Sequence, residues 1–296
     1  MKRLSLLLLT CLFILSMTAC GNSGTQTPLA DGSTSLQDNT AVENGSQTVI
    51  IEPDTVLIDQ DGIKITAKEL EDDSIWGLGV KLLIENNSEK GRNISCSSLV
   101  VNGYMIDDLF TTTVAAGKKS NETVNLSSAE LNAAGIETVS EIALIFCVSD
   151  SETYRTEFYT DEVVITTSAY GSVEQPALDD GIELVNRDGV RIVGRYVDED
   201  SFWGAGILLF IENERDHRIL VDCDDMSING FMVTPYFSSS INGGRMRIDD
   251  ITILSSDLEK NGIEKLESIE MEFRIIDPDT YGTIFETGPV SFEIES

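Results

Sequence analysis

The side chains that could act as general bases or nucleophiles are few and do not form a catalytic pattern. His217 is the single histidine of the 296-residue chain and lies in the charged stretch 213–218. Nucleophilic catalysis needs a base beside the nucleophile and a third group that orients the base. The sequence also contains neither a glycine-rich phosphate loop nor an HExxH zinc motif. It therefore predicts no catalytic residue and no organic cofactor.

Carboxylates are abundant, with 51 Asp and Glu against 20 Lys and Arg. Two of them could hydrolyse a glycoside, but with so many acids their proximity in sequence carries no signal. Calcium binding is the better ionic hypothesis. Asp59-x-Asp61-Gly62 resembles the start of an EF-hand loop, although the later ligands are out of register, and a tight turn explains the same residues. The other candidate calcium ligands are Asp179, Asp180, Asp222, Asp224 and Asp225.

Six large apolar side chains are candidates for contact with a ligand. Trp76 and Trp203 could stack on sugars, but each is flanked by glycine and a core strand, which favours burial. The pairs Tyr104-Met105 and Phe231-Met232 each follow an Asn-Gly turn. They either pack inward or form an apolar tip that contacts a partner, and burial is again the more common outcome for such residues.

The first twenty residues predict export and a lipid anchor. Met1-Lys2-Arg3 precedes an apolar run that is too short to span a bilayer. The run ends in Met17-Thr18-Ala19-Cys20-Gly21, which resembles the lipobox of bacterial lipoproteins, with Met17 in place of the usual Leu. The resemblance implies that residues 1–19 are removed and that Cys20 is acylated. We therefore expect a bilayer as partner and a position on the extracellular face of the bacterial cell membrane.

Residues 20–48 have the composition of a flexible tether, because they are rich in Gly, Ser, Thr, Gln and Asn and poor in apolar residues. Loss of Lys2 and Arg3 with the signal peptide leaves 18 basic and 51 acidic residues, a net charge of 18 − 51 = −33. Such a surface opposes binding to nucleic acid. An extracellular protein or glycan is the partner class that remains.

The rest of the chain contains an internal repeat at an offset of 127 residues. Residues 61–86 align without a gap on 188–213, with 12 of 26 positions identical. The same offset pairs Cys96 with Cys223, Asn102-Gly103 with Asn229-Gly230, and Phe146 with Phe273. We therefore predict repeat 1 at 49–170, a linker at 171–181 and repeat 2 at 182–296.

Each repeat has the pattern of an all-β sandwich. Short apolar runs such as 80–84 and 207–211 indicate core strands, and the Asn-Gly pairs predict type I′ hairpins. One or two turns of helix are expected from Ser127 or Ser128 to Ala134 and from Ser256 to Asn261, each with a serine cap and a glycine at its end. Several short strands in about 115 residues favour two packed sheets. Cys96 and Cys147 could bridge these sheets, but free buried thiols are the favoured interpretation.

The pattern Trp-Gly-x-Gly, then Ile-Glu-Asn, then Asn-Gly-[Tyr/Phe]-Met resembles uncharacterised surface lipoproteins of Gram-positive bacteria. The resemblance implies two tandem immunoglobulin-like (telokin-like) domains and brings no activity with it. We predict a non-enzymatic, membrane-anchored binding, adhesion or envelope-associated lipoprotein. The alternatives are a glycan-binding or glycan-hydrolysing surface lipoprotein and a solute-binding lipoprotein of a transporter, which would need two α/β lobes.

Overall fold

A computed structural model describes residues 49–73, 77–201 and 204–294. In these ranges the chain is all-β, apart from two short helices. The elements of repeat 1 are β1 Thr55–Gln60, β2 Ile63–Asp73, β3 Gly77–Asn86, β4 Arg92–Val101, β5 Tyr104–Ile106, β6 Thr111–Val114, β7 Lys118–Asn125, α1 Ser128–Ala133, β8 Glu141–Asp150, β9 Thr156–Tyr159 and β10 Val163–Thr166. Those of repeat 2 are β11 Ile182–Arg187, β12 Val190–Ser201, β13 Gly204–Asn213, β14 Ile219–Ile228, β15 Phe231–Val233, β16 Ser238–Ile241, β17 Arg245–Leu254, α2 Ser255–Asn261, β18 Ser268–Asp277, β19 Gly282–Glu286 and β20 Val290–Glu293.

The two repeats pair their strands in the same way. In repeat 1 one sheet has the order β1-β2-β3-β7, and in the other β4 pairs with β5, β6 and β8 while β8 pairs with β9 and β10. Repeat 2 reproduces this with β11-β12-β13-β17 and with β14 and β18 as the central strands. The register is also shared, since Cys96 lies opposite Phe146 and Cys223 opposite Phe273. The predicted all-β sandwich fold is confirmed.

The sandwich cores follow from the alternation of side chains along the strands. In β3, Val80, Leu82 and Ile84 are fully or almost fully buried, while the residues between them are partly exposed. They form one apolar cluster with residues of the opposing sheet, including Leu144 and Phe146. Successive side chains of a strand point to opposite faces, so one face of each sheet supplies the core.

A buried asparagine ends the Ile-Glu-Asn run in each repeat. Asn86 is fully buried, and its Nδ2 donates to the carbonyls of Lys90 and Val114, both at 2.8 Å. Asn213 is also fully buried and donates to the carbonyls of His217 and Ile241, both at 3.0 Å. Lys90 and His217 lie in loops, whereas Val114 and Ile241 are the last residues of β6 and β16. Each amide therefore fixes a loop and the end of a neighbouring strand to the end of the core strand.

The predicted turns and helices are confirmed. Asn102 and Gly103 have φ angles of 49° and 88°, and Asn229 and Gly230 have 51° and 81°. Both central residues of a type I′ turn need positive φ, which is why Asn-Gly suits these hairpins. Helix α1 is capped by the Ser127 side chain, and α2 ends at Gly262 in the left-handed conformation. The predicted serine cap of α2 is wrong, because its N-cap residue is Leu254, which makes no side-chain cap.

Cys96, Cys147 and Cys223 are free thiols in the structure. Cys96 pairs with Phe146 on the neighbouring strand, and Cys147 is the residue after Phe146. Adjacent residues of a strand point to opposite faces, so Cys96 and Cys147 do not meet. This geometry favours free thiols over a bridge. The predicted burial holds for Cys223, whereas Cys96 and Cys147 are only partly buried.

The repeats meet along one edge. Strand β5 of repeat 1 pairs in parallel with β17 of repeat 2, which joins two of the sheets into a single sheet of ten strands. Residues Gln47–Ser296 form one compact unit, so the division at 171–181 stays a prediction. Among the described residues, no helix is long and apolar enough to span a bilayer.

Candidate functional site

The two Asn-Gly hairpins have the same local structure but different surroundings. In repeat 1 the hairpin joins β4 to β5 through Asn102 and Gly103, and in repeat 2 it joins β14 to β15 through Asn229 and Gly230. In both, the Asn side chain accepts hydrogen bonds from backbone N–H groups at the start of β8 or β18. The turns are therefore held rigidly in both repeats.

The repeat 1 hairpin is covered by repeat 2. Tyr104 is fully buried, and its ring packs edge-on against Phe210 with the centroids 6.4 Å apart. Its hydroxyl accepts a hydrogen bond from the Leu178 N–H at 2.9 Å and lies 3.2 Å from the Pro176 carbonyl. Met105 packs against the core of repeat 2. Both side chains are therefore used in a contact within the chain.

The repeat 2 hairpin presents its apolar side chains to solvent. Phe231, the counterpart of Tyr104, is 50% exposed, and Met232, the counterpart of Met105, is 65% exposed. Both residues belong to β15, directly after the turn, and as successive strand residues they point to opposite faces of the hairpin. Exposed aromatic and methionine side chains are typical of contact surfaces, because such residues supply much of the binding energy at interfaces. We call Phe231 and Met232, with the turn that carries them, the apolar tip.

A groove of about 760 Å³ lies in repeat 1, beside α1 and β7. Its lining includes four carboxylates and two apolar side chains: Asp107, Asp108, Glu122, Glu130, Leu109 and Phe110. Leu109 is 99% exposed. The groove brings together the two kinds of group that a sugar-binding site uses, acids and apolar surface.

The groove carboxylates have structural partners. Glu130 accepts a hydrogen bond from the Asp107 N–H at 2.6 Å, and Asp108 accepts one from the Phe110 N–H at 2.6 Å. Burial raises the pKa of Asp108 and that of Glu130, because a charged carboxylate is disfavoured away from water. Asp107 forms an ion pair with Arg247 of repeat 2 at 2.7 Å. These contacts account for the positions of three of the four acids.

The first calcium candidates lie at a turn. Asp61 and Gly62 join β1 to β2 with φ angles of 50° and 81°. Asp59 and Asp61 are both exposed, and the Asp61 carboxylate accepts a hydrogen bond from the Gln60 side chain at 3.3 Å. A tight turn therefore explains the Asp-Gly pair.

The other acidic candidates mostly face arginines. Asp179 pairs with Arg191 at 2.7 Å and Asp180 with Arg195 at 2.6 Å. Asp222 and Asp224 both lie beside Arg274, at 3.4 and 2.9 Å, whereas Asp225 is exposed. Across residues 49–73, 77–201 and 204–294, no three His, Cys, Asp or Glu side chains gather as metal ligands. The structure does not bring these candidates together, and calcium binding stays a prediction.

Three candidate residues lie outside the described residues, namely Cys20, Trp76 and Trp203. His217 is described, and it occupies the loop between β13 and β14. Its Nδ1 lies 2.7 Å from an Asp216 carboxylate oxygen, and its Nε2 lies 3.4 Å from Arg215 Nε. These are contacts within a charged surface loop.

The residues that cover the first hairpin were not predicted from the sequence. Met246 and Ile248 of β17 pack against the core of repeat 1. At the offset of 127 they correspond to Lys119 and Asn121 of β7. Comparison of these two edge strands could have shown that only repeat 2 carries an apolar edge.

Comparisons with known proteins give distant structural similarities only. No protein family and no curated protein matches the sequence. The structure is similar to the YadV chaperone, with 13% identity, a TM-score of 0.22, and coverage of 73% of this chain and 92% of the chaperone. A structure of the Salmonella enterica SafA pilin in complex with the SafB chaperone matches with 12% identity, a TM-score of 0.22, and coverage of 73% and 89%. A protein of unknown function from Porphyromonas gingivalis W83 matches with 11% identity, a TM-score of 0.20, and coverage of 83% and 99%. At these scores the similarities carry no argument, and the fold assignment rests on the strand pairings themselves.

Proposed function

We propose that the chain is an extracellular, lipid-anchored binding protein without enzymatic activity, and that it contacts a protein partner through the apolar tip. The observation that carries the proposal is the different burial of equivalent residues. Tyr104 is fully buried between Phe210 of repeat 2 and the segment that carries Pro176 and Leu178, whereas Phe231, at the same place in repeat 2, is half exposed. Removal of an exposed apolar side chain from water by a partner lowers the free energy of the complex.

The anchor and the tether support this role from the sequence. An acylated Cys20 would hold the chain on the membrane, and residues 20–48 would allow the folded part to reach away from the lipid. The acidic balance of the chain favours a partner with a basic surface.

The groove in repeat 1 is where a glycan-binding or glycan-hydrolysing activity would have to act. Burial raises the pKa of both Asp108 and Glu130, as the general acid of a glycosidase would require. However, each already accepts a backbone hydrogen bond, which gives it a structural role. The solute-binding alternative needs two α/β lobes, and the confirmed all-β fold does not provide them.

The proposal is tested by probing arrays of bacterial surface proteins, secreted proteins and glycans with the purified mature chain. We compare it with the double variant Phe231→Ser and Met232→Ser. The protein ligand should bind at least about tenfold more weakly to the variant, since loss of two central apolar contacts costs 1.4 kcal/mol or more.

The matched control is Val56→Ser with Val164→Ser, which changes two apolar residues that are 49% and 48% exposed on other strands. It should bind like the unchanged chain. The proposal fails if partner binding is the same in all three proteins, or if the mature chain releases reducing sugar from array glycans and loses that activity with Asp108→Asn.

A further inference from the structure

The hairpin of repeat 1 pairs with an edge strand of repeat 2, and this pairing shows how a strand could bind the equivalent hairpin of repeat 2. Strand β17 lies parallel to β5, and the Met246 N–H donates to the Gly103 carbonyl at 3.0 Å. A β-carbon placed on Gly103 would lie 3.3 Å from Met246 Cε. The turn at Asn102 and Gly103 therefore forms a contact site for the methionine of the neighbouring strand. We call this site, and its counterpart at Asn229 and Gly230, the seat.

The strand that occupies this seat alternates basic and apolar residues in the order Arg245-Met246-Arg247-Ile248. Its apolar members pack against the core of repeat 1. Its arginines reach outward to acids of repeat 1, where Arg245 pairs with Glu162 at 2.6 Å and Arg247 with Asp107 at 2.7 Å. Both the apolar contacts and the ion pairs of this interface therefore require a strand that alternates basic and apolar residues.

The hairpin of repeat 2 has the same turn, but no strand in the described ranges packs against Gly230. Its turn has nearly the same φ angles as the first, at Asn229 and Gly230. A β-carbon placed on Gly230 meets no atom within 4 Å. Phe231 replaces the tyrosine, and it can be buried without a hydroxyl that needs a hydrogen-bond partner.

The charge near this seat also differs. Ser98 accepts a hydrogen bond from the Asn242 amide across the contact between the repeats, at 2.9 Å. The corresponding residue in repeat 2 is Asp225, which is exposed. A carboxylate at this place favours a basic strand over an acidic one.

The strand of a second copy that is equivalent to β17 does not fit this seat. That strand is β7, where the residues that correspond to Arg245–Ile248 are Lys118, Lys119, Ser120 and Asn121. Burying Lys119 against Phe231 would remove an ammonium group from water without apolar compensation. Charged residues of this kind protect edge strands from pairing with other chains.

We propose that the partner of the apolar tip is a different protein that contributes a free edge β-strand with alternating basic and apolar residues. This strand adds in parallel to β15, as β17 adds to β5. The inference rests on the proposed function, because it specifies which partner the apolar tip accepts. Backbone pairing would supply affinity, and the alternating side chains would supply specificity.

The test gives the chain a matching edge of its own. The variant Lys118→Arg, Lys119→Met, Ser120→Arg, Asn121→Ile copies the sequence of the β17 edge onto β7 of the otherwise complete chain. Each copy could then insert this edge into the apolar tip of the next. Head-to-tail contacts of this type produce open assemblies. We expect sedimentation velocity to show at least a roughly twofold rise in average mass at about 0.1 mM, since small contacts bind weakly.

The control adds Phe231→Ser and Met232→Ser to the same variant, which should return it to a monomer. The inference is overturned if the grafted chain stays monomeric, or if it associates equally with and without the apolar tip. If a partner from the array depends on the apolar tip but the grafted variant stays monomeric, only the inference about the basic and apolar strand is overturned, and the proposed function stands. Tip-dependent assembly of the graft without any array partner would overturn the proposed function alone.

Discussion

The buried asparagines Asn86 and Asn213 are the residues on which the loops of each repeat depend. Each is fully buried and donates to a carbonyl of a loop and to the carbonyl of the last residue of a strand, β6 or β16. In addition, Asn86 accepts hydrogen bonds from the N–H and the hydroxyl of Ser88, at 3.0 and 2.6 Å. Removal of this one side chain therefore takes away a buried hydrogen bond to the Val114 carbonyl and three partly buried hydrogen bonds to Ser88 and Lys90.

We predict that Asn86→Ala lowers the free energy of unfolding by about 3 kcal/mol, because buried groups left without a partner cost about 1–3 kcal/mol each. Guanidinium unfolding followed by circular dichroism measures the change. Asn87→Ala, at the exposed neighbouring position, should change the stability by less than about 0.5 kcal/mol. Equal effects of the two substitutions would show that Asn86 does not hold the loops.

At the scale of elements, the two hairpins are a matched pair with the same turn and different burial. Tyr104 belongs to the contact between the repeats, and Phe231 belongs to the solvent-facing apolar tip. The same substitution at these two positions therefore separates a structural residue from a binding residue.

We expect Tyr104→Ala to destabilise the protein by about 3–5 kcal/mol, the usual cost of removing a large buried ring. Phe231→Ala should cost less than about 1 kcal/mol, because much of its ring is already in water. Scanning calorimetry of both variants checks this difference. A larger loss of stability for Phe231→Ala than for Tyr104→Ala would mean that the apolar tip serves folding instead of binding.

The strands of each repeat could be predicted, whereas the contact between the repeats could not. Alternation of apolar residues at 80–84 and the Asn-Gly turns are local signals, and local signals are sufficient for strands and hairpins. The burial of Tyr104 depends on Met246 and Phe210, which lie more than 100 residues further along the chain. The repeat pattern does not indicate which sheet edges pair with each other, so Tyr104 and Phe231 are equivalent in the sequence.

The acidic candidates show a second limit of sequence reasoning. In the sequence, Asp179, Asp180 and Asp224 are candidate calcium ligands because each lies in a short acidic run. In the structure each faces an arginine within 3 Å. Which charge a surface acid meets is decided by the packing of strands, so composition alone could not distinguish an ion pair from a metal ligand.

At the scale of the whole molecule, the proposed anchor decides where the apolar tip can act. Cys20 lies outside the described residues, and its acylation is a prediction from the lipobox resemblance. Each buried methylene of an acyl chain contributes about 0.8 kcal/mol, so two or three chains suffice for durable attachment.

We predict that cells fed an alkyne fatty acid label the unchanged protein and the Cys11→Ser variant, but not the Cys20→Ser variant. Cys11 is the matched control, because it lies in the predicted signal peptide and is also a cysteine. In-gel fluorescence after coupling of a dye measures the label. Persistent labelling of Cys20→Ser would place the lipid on a different residue.

The hydrogen bonds of the hairpin asparagines also affect the rate at which these residues deamidate. An Asn-Gly sequence in a loose chain deamidates readily, since the following backbone nitrogen can attack the side-chain amide carbon. In this fold the Asn229 oxygen accepts from Glu267 and Ser268, and its nitrogen donates to Lys265. These three hydrogen bonds oppose rotation of the amide toward Gly230, so we expect the turn before Phe231 to resist deamidation.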